Sequence, residues 1–341
     1  MKVLYPLLMV VILALIGLLG VWVVPGSTVV FAVVLPYAAI AILIVGFIYR
    51  VVNWAKSPVP FRITTTCGQQ KSLPWIKSNP IESPHNNLGV IGRMALEVLF
   101  FRSLFRNTST ELKGGRLIFA EEKFLWLAGL AFHWSLLAIF VRHYRLFTEP
   151  VPSFVTLLQA IDGFLQIGIP VLYMSSAIVV VAGLYLLYRR IAFAKIAYIS
   201  LPSDYFALFL ILGIATTGIL MRHFYRVDVV GVKELAMGLV SFNPVIPQGI
   251  GPLFFCHLFL VTSLLAYFPF SKLMHLGGIF LSPTRNLANN NRMRRHVNPW
   301  NYPVNVHTYQ EWEEEFKDKL LAAGYTLDED TPERKDVLVR G

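Results

Sequence analysis

The chain has 341 residues, of which 55% are hydrophobic and 15% charged, and its formal net charge is +10. A mean hydropathy of +0.58 is typical of a polytopic membrane protein. The positive charge is spread through the segments between apolar runs, and the sequence holds no nucleic-acid-binding module, glycine-rich phosphate loop or Ser/His/Asp arrangement. We therefore expect no nucleic-acid partner.

Six apolar runs have the length that crosses a bilayer. They occupy residues 3–24, 29–49, 124–147, 167–188, 203–221 and 252–277. The first run is too long for a typical signal peptide and lacks a cleavage site, so we expect it to form an uncleaved hairpin with the second. The sequence predicts an all-α polytopic membrane protein whose last four helices form an antiparallel bundle.

The distribution of basic residues predicts the orientation of these helices. Only 5 of the 30 Lys and Arg lie on the side reached by the ends of the first, third and fifth runs. By the positive-inside rule the opposite side is cytoplasmic. We expect both termini in the cytoplasm and the protein in the cell's inner membrane.

The chain divides into four regions. They are an N-terminal hairpin (1–49), a cytoplasmic loop (50–123), the four-helix domain (124–280) and a cytoplasmic tail (281–341). In the loop, Leu88–Phe105 is predicted to form an amphipathic helix along the membrane surface, with a buried helix as the alternative. Cys67, also in the loop, is either a ligand or redox partner of a docked subunit or a simple turn or contact residue.

The tail combines a basic cluster, several aromatic residues and a charged helical stretch, Glu311–Ala323. It is too polar to fold against itself, yet its aromatics favour burial, so we expect it to wrap over a cytoplasmic partner protein. Binding to anionic lipid is the alternative. The residues from Asp328 onward are predicted to be disordered.

Two helices of the four-helix domain each carry a pair of histidines. The third run holds His133 and His143, ten positions apart, and the sixth holds His257 and His275, eighteen apart. In antiparallel helices, His133 pairs with His275 near one surface. His143 then pairs with His257 near the other. Because the spacings correspond to rises of ~15 Å and ~27 Å, the helices must tilt or the last one must unwind, and Pro269 can supply a kink.

A histidine inside a membrane helix is costly and points to function. Two imidazoles at one level leave a zinc tetrahedron unfilled, whereas they supply both axial ligands of a six-coordinate haem. The pairs His133/His275 and His143/His257 therefore predict two haem b groups stacked across the membrane, bound in a di-haem four-helix bundle. Packing or proton relay by the individual histidines is the alternative.

Arginines cluster at the outer ends of two helices. Arg142 and Arg145 flank His143, and Arg222 ends the fifth run. Arginine is well shaped to bind a carboxylate through two hydrogen bonds. We expect Arg142, Arg145 and Arg222 to hold the propionates of the outer haem, with interface anchoring as the alternative.

A proton acceptor for a quinol is also expected at this surface. His223 follows Arg222, and its imidazole titrates near neutrality, so it suits this role. Asp162 is a weaker candidate of the same kind. An ordinary surface position is the alternative for His223.

The histidine spacing resembles that of the gamma-subunit family of respiratory nitrate reductase. Two other segments are more specific, SPVPFRITTTCGQQKSLPWIK at Ser57–Lys77 and NNNRMRRHVNPWNYPVNVHTY at Asn289–Tyr309. They resemble the DsrM family, the membrane cytochrome b subunits of the complex associated with dissimilatory sulfite reductase. The resemblance covers nearly the whole chain.

This resemblance implies two haem b groups, with menaquinol as the electron donor and menaquinone as its oxidised form. It implies delivery of electrons to a cytoplasmic iron–sulfur subunit similar to the catalytic subunit of heterodisulfide reductase, in dissimilatory sulfur metabolism. Other membrane and extracytoplasmic subunits of the same complex are implied as well. The chain would then be an oxidoreductase subunit that is not catalytic alone.

Other functions stay open at this point. One is a haem-free membrane anchor for a cytoplasmic enzyme, and another is an ion transporter that uses intramembrane histidines. The transporter is weakened by the near absence of carboxylates inside the apolar runs. Within the cytochromes, the gamma-type subunit of a nitrate reductase-like complex is the alternative.

Overall fold

The computed structural model of the chain describes residues 1–24, 26–57, 68–165, 170–282, 284–292 and 307–327. Residues 1–296 form one compact unit and residues 297–341 a second. Several predictions concern residues outside this description, namely Cys67, residues 293–306 and the segment from Asp328. Those predictions stay predictions.

The described part of the chain is mostly helical. In chain order its helices are α1 (Leu4–Val23), α2 (Ser27–Ala55), α3 (Asn87–Phe100), α4 (Arg102–Phe105), α5 (Lys123–His143), α6 (Ser153–Asp162), α7 (Met174–Ala192), α8 (Ala194–Ile199), α9 (Pro202–His223), α10 (Val229–Val240), α11 (Pro252–Tyr267), α12 (His275–Leu281) and α13 (Tyr309–Ala322). Six of these helices are long and apolar enough to cross a membrane, namely α1, α2, α5, α7, α9 and α11. The six predicted spans are therefore confirmed, and the chain is a multi-pass membrane protein.

The spanning helices form a bundle with a simple neighbour order. Helix α5 packs on α7, α7 on α9 and α9 on α11, while α1 and α2 both pack on α11. The buried side chains that join α1, α9 and α11 include Val10, Leu210 and Leu260. The N-terminal hairpin is thus part of the helical core.

Two small antiparallel sheets, which the sequence analysis did not predict, accompany the helices. Strands β1 (Thr108–Lys113) and β2 (Arg116–Glu121) form a hairpin, and β3 (Gly163–Leu165) pairs with β4 (Leu172–Tyr173). The two-residue turn at Gly114 and Gly115 has positive φ at both positions, which glycine adopts without strain. The Gly-Gly pair between two apolar stretches was the sequence signal for this hairpin.

The fourth span starts later than predicted. Its helix begins at Met174 rather than near residue 168, because the chain before it pairs as β3 and β4. The Asp162 carboxylate accepts a hydrogen bond from the Ser175 backbone N–H at 2.8 Å. A side chain distant in sequence therefore satisfies a donor in the first turn of α7.

The predicted surface helix at Leu88–Phe105 is two helices, because Phe101 has a φ of 51° and interrupts it. Helix α3 buries Arg93 and exposes apolar residues such as Leu88 and Ile91. Its polar side thus faces protein while its apolar side is uncovered. The location of this helix on the membrane surface stays a prediction.

The second unit contains α13. Thr308 and Glu311 form a capping box at its start, in which the Thr308 N–H donates to the Glu311 carboxylate at 2.8 Å. Tyr309, Trp312 and Phe316 stack along the helix with ring centres 5.7 and 5.8 Å apart. The charged helix predicted near Glu311–Ala323 is therefore present.

Candidate cofactor site

The bundle has two ends with different surroundings. The end that carries residues 68–122, α8 and α12 is called here the loop end. The end that carries α6, β3, β4 and α10 is called the arginine end, since Arg142 and Arg222 lie there. The histidines of α5 lie toward both ends, His133 toward the first and His143 toward the second.

At the loop end, the structure brings His133 and His275 together. Their ring centres are 5.9 Å apart and the ring planes are inclined by 83°. Phe101 and Phe132 pack edge-on against His133, with ring centres 5.0 and 5.4 Å away. Two imidazoles from different helices thus lie next to each other with nearly perpendicular ring planes, and aromatic rings pack against one of them.

The chain reaches this arrangement because α11 does not continue to His275. Short 3₁₀ turns at Phe268–Phe270 and Lys272–Met274 separate α11 from α12, which begins at His275. Pro269 lies in the first of these turns, where its ring cannot continue a regular helix. The unequal histidine spacings are therefore reconciled by an interruption of the last spanning helix.

Toward the arginine end, His143 on α5 and His257 on α11 are the residues of the predicted second pair. On α5, the ten residues between His133 and His143 correspond to a rise of ~15 Å. The two pairs therefore occupy two levels of the bundle.

All four histidines have the same ring nitrogen engaged. Nδ1 of His133 lies 2.7 Å from the Gly129 carbonyl oxygen, and Nδ1 of His143 lies 2.7 Å from that of Ile139. Nδ1 of His275 lies 2.8 Å from the Lys272 carbonyl oxygen. A carbonyl oxygen only accepts, so these three rings donate through Nδ1–H and keep Nε2 as a lone-pair donor.

The fourth ring has a side-chain partner. Nδ1 of His257 lies 2.9 Å from the Thr217 hydroxyl oxygen on α9. Metal-bound histidines characteristically use their second nitrogen in this way, because the hydrogen bond holds the ring and its tautomer. Sequence reasoning did not identify Thr217, since nothing in a single sequence shows which residue of α9 faces α11.

These observations fit iron bound between two imidazoles. Rings on opposite sides of one metal ion, with nitrogen–metal bonds of about 2.0–2.1 Å, have centres roughly 6 Å apart. The 5.9 Å separation of His133 and His275 agrees with this value. Among the described residues, no three His, Cys, Asp or Glu side chains are grouped to share a metal ion, so the pairs offer two protein ligands each.

The predicted propionate-binding arginines are placed differently from one another. Arg142 is buried, and its Nε lies 3.1 Å from the Asp162 carboxylate while its Nη2 donates to Ser175 at 3.1 Å. Arg222 donates from Nε to the Val171 carbonyl at 3.1 Å. Arg145 is exposed. Arg142 is therefore already paired with a carboxylate of the chain itself.

Tyr173 joins two of these arginines. The guanidinium carbons of Arg142 and Arg222 lie 3.7 and 4.4 Å from the centre of its ring. A guanidinium at this distance from an aromatic face is attracted to it. Tyr173, which was not identified from the sequence, thus holds two positive charges together beside the His143 level.

The two candidate proton acceptors also differ. The Asp162 carboxylate forms an ion pair with Arg142 and accepts hydrogen bonds from both the backbone and the hydroxyl of Ser175, the latter at 2.6 Å. In contrast, Nδ1 of His223 is buried without a hydrogen-bond partner among the described residues. His223 therefore has an unused ring nitrogen, whereas Asp162 is fully engaged.

The loop end is held by a network of charged side chains. Glu82 is 3% exposed and binds Arg102 and Arg106. Arg93 donates to backbone carbonyls of both Glu82 and Arg285, and burial lowers the pKa of its guanidinium. These contacts connect the segment before α5 to the segment after α12. They place the loop and the start of the tail beside the His133 level.

Comparisons with known proteins agree with this architecture. The profile of the family described as nitrate reductase gamma subunit matches residues 94–296, a range that contains all four paired histidines. A relative from Archaeoglobus fulgidus is 50% identical over 307 residues, covering 88% of this chain and 88% of that protein. A relative from Archaeoglobus profundus is 43% identical over 274 residues, covering 78% and 81%. Both are named Hdr-like menaquinol oxidoreductase cytochrome b-like subunit.

Proposed function

Because this chain belongs to the nitrate reductase gamma-subunit family, we propose that it is a membrane cytochrome b that binds two haem b groups and oxidises menaquinol. The observation that carries the proposal is the pair His133 and His275, whose ring centres lie 5.9 Å apart with Nδ1 of each ring hydrogen-bonded. His143 and His257 would hold the second group. Haem b supplies reversible one-electron transfer when bound.

The chain's own residues set the conditions for this chemistry. The Nδ1 hydrogen bonds keep Nε2 of each ligand histidine unprotonated and fix the ring orientation. Arg222, together with the exposed Arg145, is a better candidate than Arg142 to hold a haem propionate. Arg142 acts beside them through its ion pair with Asp162.

The menaquinol site is proposed at the arginine end. Oxidation of a quinol releases protons, and His223 has a ring nitrogen without a partner among the described residues. We assign it the role of first proton acceptor, with Asp162 as the group that holds Arg142. In the proposed orientation this end faces outward, so that protons leave on the outer side of the cytoplasmic membrane.

Electrons are proposed to leave at the loop end to a cytoplasmic iron–sulfur subunit similar to the catalytic subunit of heterodisulfide reductase. Two observations support this partner. The relatives carry the words Hdr-like menaquinol oxidoreductase in their names, and the network around Glu82 builds a polar surface beside His133 and His275. A DsrM-type role in dissimilatory sulfur metabolism, within a complex of further membrane and extracytoplasmic subunits, follows from the same proposal.

The first experiment is a haem count on the purified chain, using the pyridine haemochrome spectrum. Two b-type haems per chain are expected, because two histidine pairs are available. His275→Ala should lose one of the two, since it removes a ligand of the pair at the loop end.

His307→Ala is the matched control, because His307 is an exposed histidine of the second unit, with a side chain 52% exposed. It should keep both haems. A colourless wild-type protein would refute the proposal and leave the haem-free anchor in its place. Retention of both haems by His275→Ala would refute the ligand assignment at the loop end.

A further inference from the structure

The four paired histidines do not all have the same kind of hydrogen-bond partner at Nδ1. In His133, His143 and His275 the acceptor is a backbone carbonyl three or four residues earlier in the chain. Such an acceptor is present whatever the side chains are. His257 differs, because its Nδ1 lies 2.9 Å from the hydroxyl of Thr217, forty residues earlier and on another helix, and the Ile214 carbonyl of that helix is its backbone partner.

The proton positions follow from the other contacts of Thr217. Its hydroxyl lies 2.9 Å from the Gly213 carbonyl oxygen and 3.0 Å from that of Ile214. A hydroxyl has one proton, and a carbonyl oxygen can only accept it. With the Thr217 proton bonded to its own helix, its oxygen is free to accept from Nδ1–H of His257.

The surroundings leave little freedom to this hydrogen bond. Thr217 is 9% exposed, and its bond to the preceding turn of α9 holds the hydroxyl in place. Its neighbour Gly218 faces the same ring, since a Cβ added there would lie 3.4 Å from Cε1 of His257. Helix α9 thus offers the imidazole a hydroxyl for Nδ1 and a glycine beside its edge.

We infer that Thr217 is a positioning residue for the haem at the His143 level, because its hydroxyl selects the tautomer of His257 that presents Nε2 to iron. This inference rests on the proposed function. It means that one of the two haem sites depends on a side chain of a helix that supplies no ligand. Loss of an outer hydrogen bond of this kind typically weakens metal binding about 10- to 100-fold.

The test is a series of substitutions in the full-length protein. Thr217→Val keeps the shape but removes the acceptor, Thr217→Cys leaves a weak acceptor, and Thr217→Ser keeps the hydroxyl. Haem transfer to excess apomyoglobin is measured over time, together with a redox titration of the bound haems. One of the two haems should leave about 10-fold faster or more in Thr217→Val, with an intermediate rate for Cys and a wild-type rate for Ser.

The redox titration gives a second readout. Without an acceptor at Nδ1 the imidazole donates less electron density, so oxidised iron is stabilised less. The potential of one haem should move to a more positive value while that of the other stays unchanged. If Thr217→Val does not fold, the difference between the Ser and Cys variants decides the same question.

Thr262→Val is the matched control. Thr262 is a buried threonine of α11, 5% exposed, whose hydroxyl donates to the Phe259 carbonyl of its own helix at 2.9 Å. It should retain both haems with wild-type kinetics. Equal haem loss in the Thr217 and Thr262 variants, or unchanged retention and potentials in Thr217→Val, would overturn the inference. A wild-type chain without haem would instead refute the proposed function itself.

Discussion

At the residue scale, Asp162 and His223 differ in what their side chains can still bind. Asp162 and His223 both lie at the arginine end, and both were candidates for accepting a quinol proton. The Asp162 carboxylate is paired with Arg142 and with Ser175, while Nδ1 of His223 has no partner among the described residues. A buried ion pair stabilises its surroundings, whereas an unpaired ring nitrogen is available for chemistry.

Substitutions at these two positions should therefore change different properties, namely stability for Asp162 and the rate of menaquinol oxidation for His223. Asp162→Asn leaves the Arg142 guanidinium buried without a charged partner, so we expect a loss of stability on the order of 3 kcal/mol. His223→Gln should leave stability nearly unchanged and slow menaquinol oxidation. Thermal unfolding in detergent and the rate of haem reduction by a menaquinol analogue measure the two effects.

Arg226→Gln serves as the control for the stability measurement, because Arg226 is exposed. Its unfolding midpoint should match that of the wild type. The assignment of Asp162 as a structural group fails if Asp162→Asn is as stable as the wild type and oxidises menaquinol more slowly.

At the scale of elements, the position of α1 depends on one close approach. A Cβ added at Gly17 would lie 2.9 Å from the Cα of Cys256 on α11 and 3.1 Å from Cβ of Phe259. Atoms cannot approach backbone that closely, so the helices can pack at this distance only because Gly17 has no side chain. The N-terminal hairpin is thereby seated on the helix that carries His257.

Gly17→Ala should separate α1 from α11 and lower the free energy of unfolding by about 1–3 kcal/mol, as overpacking does. Thermal unfolding in detergent gives the measurement. The same substitution at Gly92 is the matched control, because a Cβ there meets nothing within 4 Å. Gly92→Ala should be neutral or stabilising by roughly 0.5–1 kcal/mol. Equal effects of the two substitutions would contradict the packing argument.

The irregular elements show why the apolar pattern alone did not predict where the last spanning helix ends. An apolar run from residue 252 to 277 predicts one long helix, yet the chain turns twice between Tyr267 and His275. Lys272, in the second turn, forms an ion pair with Asp204 on α9 at 2.8 Å, and its carbonyl accepts from His275. The break is therefore stabilised by a contact with another helix, which the local sequence does not contain.

For the whole molecule, the charge distribution and the grouping of segments agree. Arg93 and Glu97 precede α5 and contact Leu287 and Arg285, which follow α12, at the loop end. Most basic residues in the described part of residues 1–296 lie at this end. At the arginine end, α10 contacts α2 through a hydrogen bond from the Tyr37 hydroxyl to the Leu239 carbonyl. The positive-inside rule then predicts a cytoplasmic loop end.

This orientation can be tested by labelling with a membrane-impermeant maleimide in a variant lacking the two native cysteines. Tyr225→Cys lies at the arginine end and Tyr198→Cys at the loop end, and these tyrosines are 73% and 84% exposed. Intact cells should be labelled at position 225, and position 198 should react only after permeabilisation. The reverse pattern would invert the proposed direction of proton release.

The sequence by itself determined the six membrane helices and the four histidines, because long apolar runs and an ionisable residue inside them are local properties that the bilayer makes costly to change. Helix geometry also predicted the level pairing of His133 with His275 and of His143 with His257, and the structure brings the first two together. Only the tertiary structure decided that Arg142 pairs with Asp162, that Tyr173 joins two arginines and that Thr217 holds His257. Those contacts join residues from different elements. The side chains that meet depend on the rotation of each helix about its own axis, and the packing of the whole bundle sets that rotation.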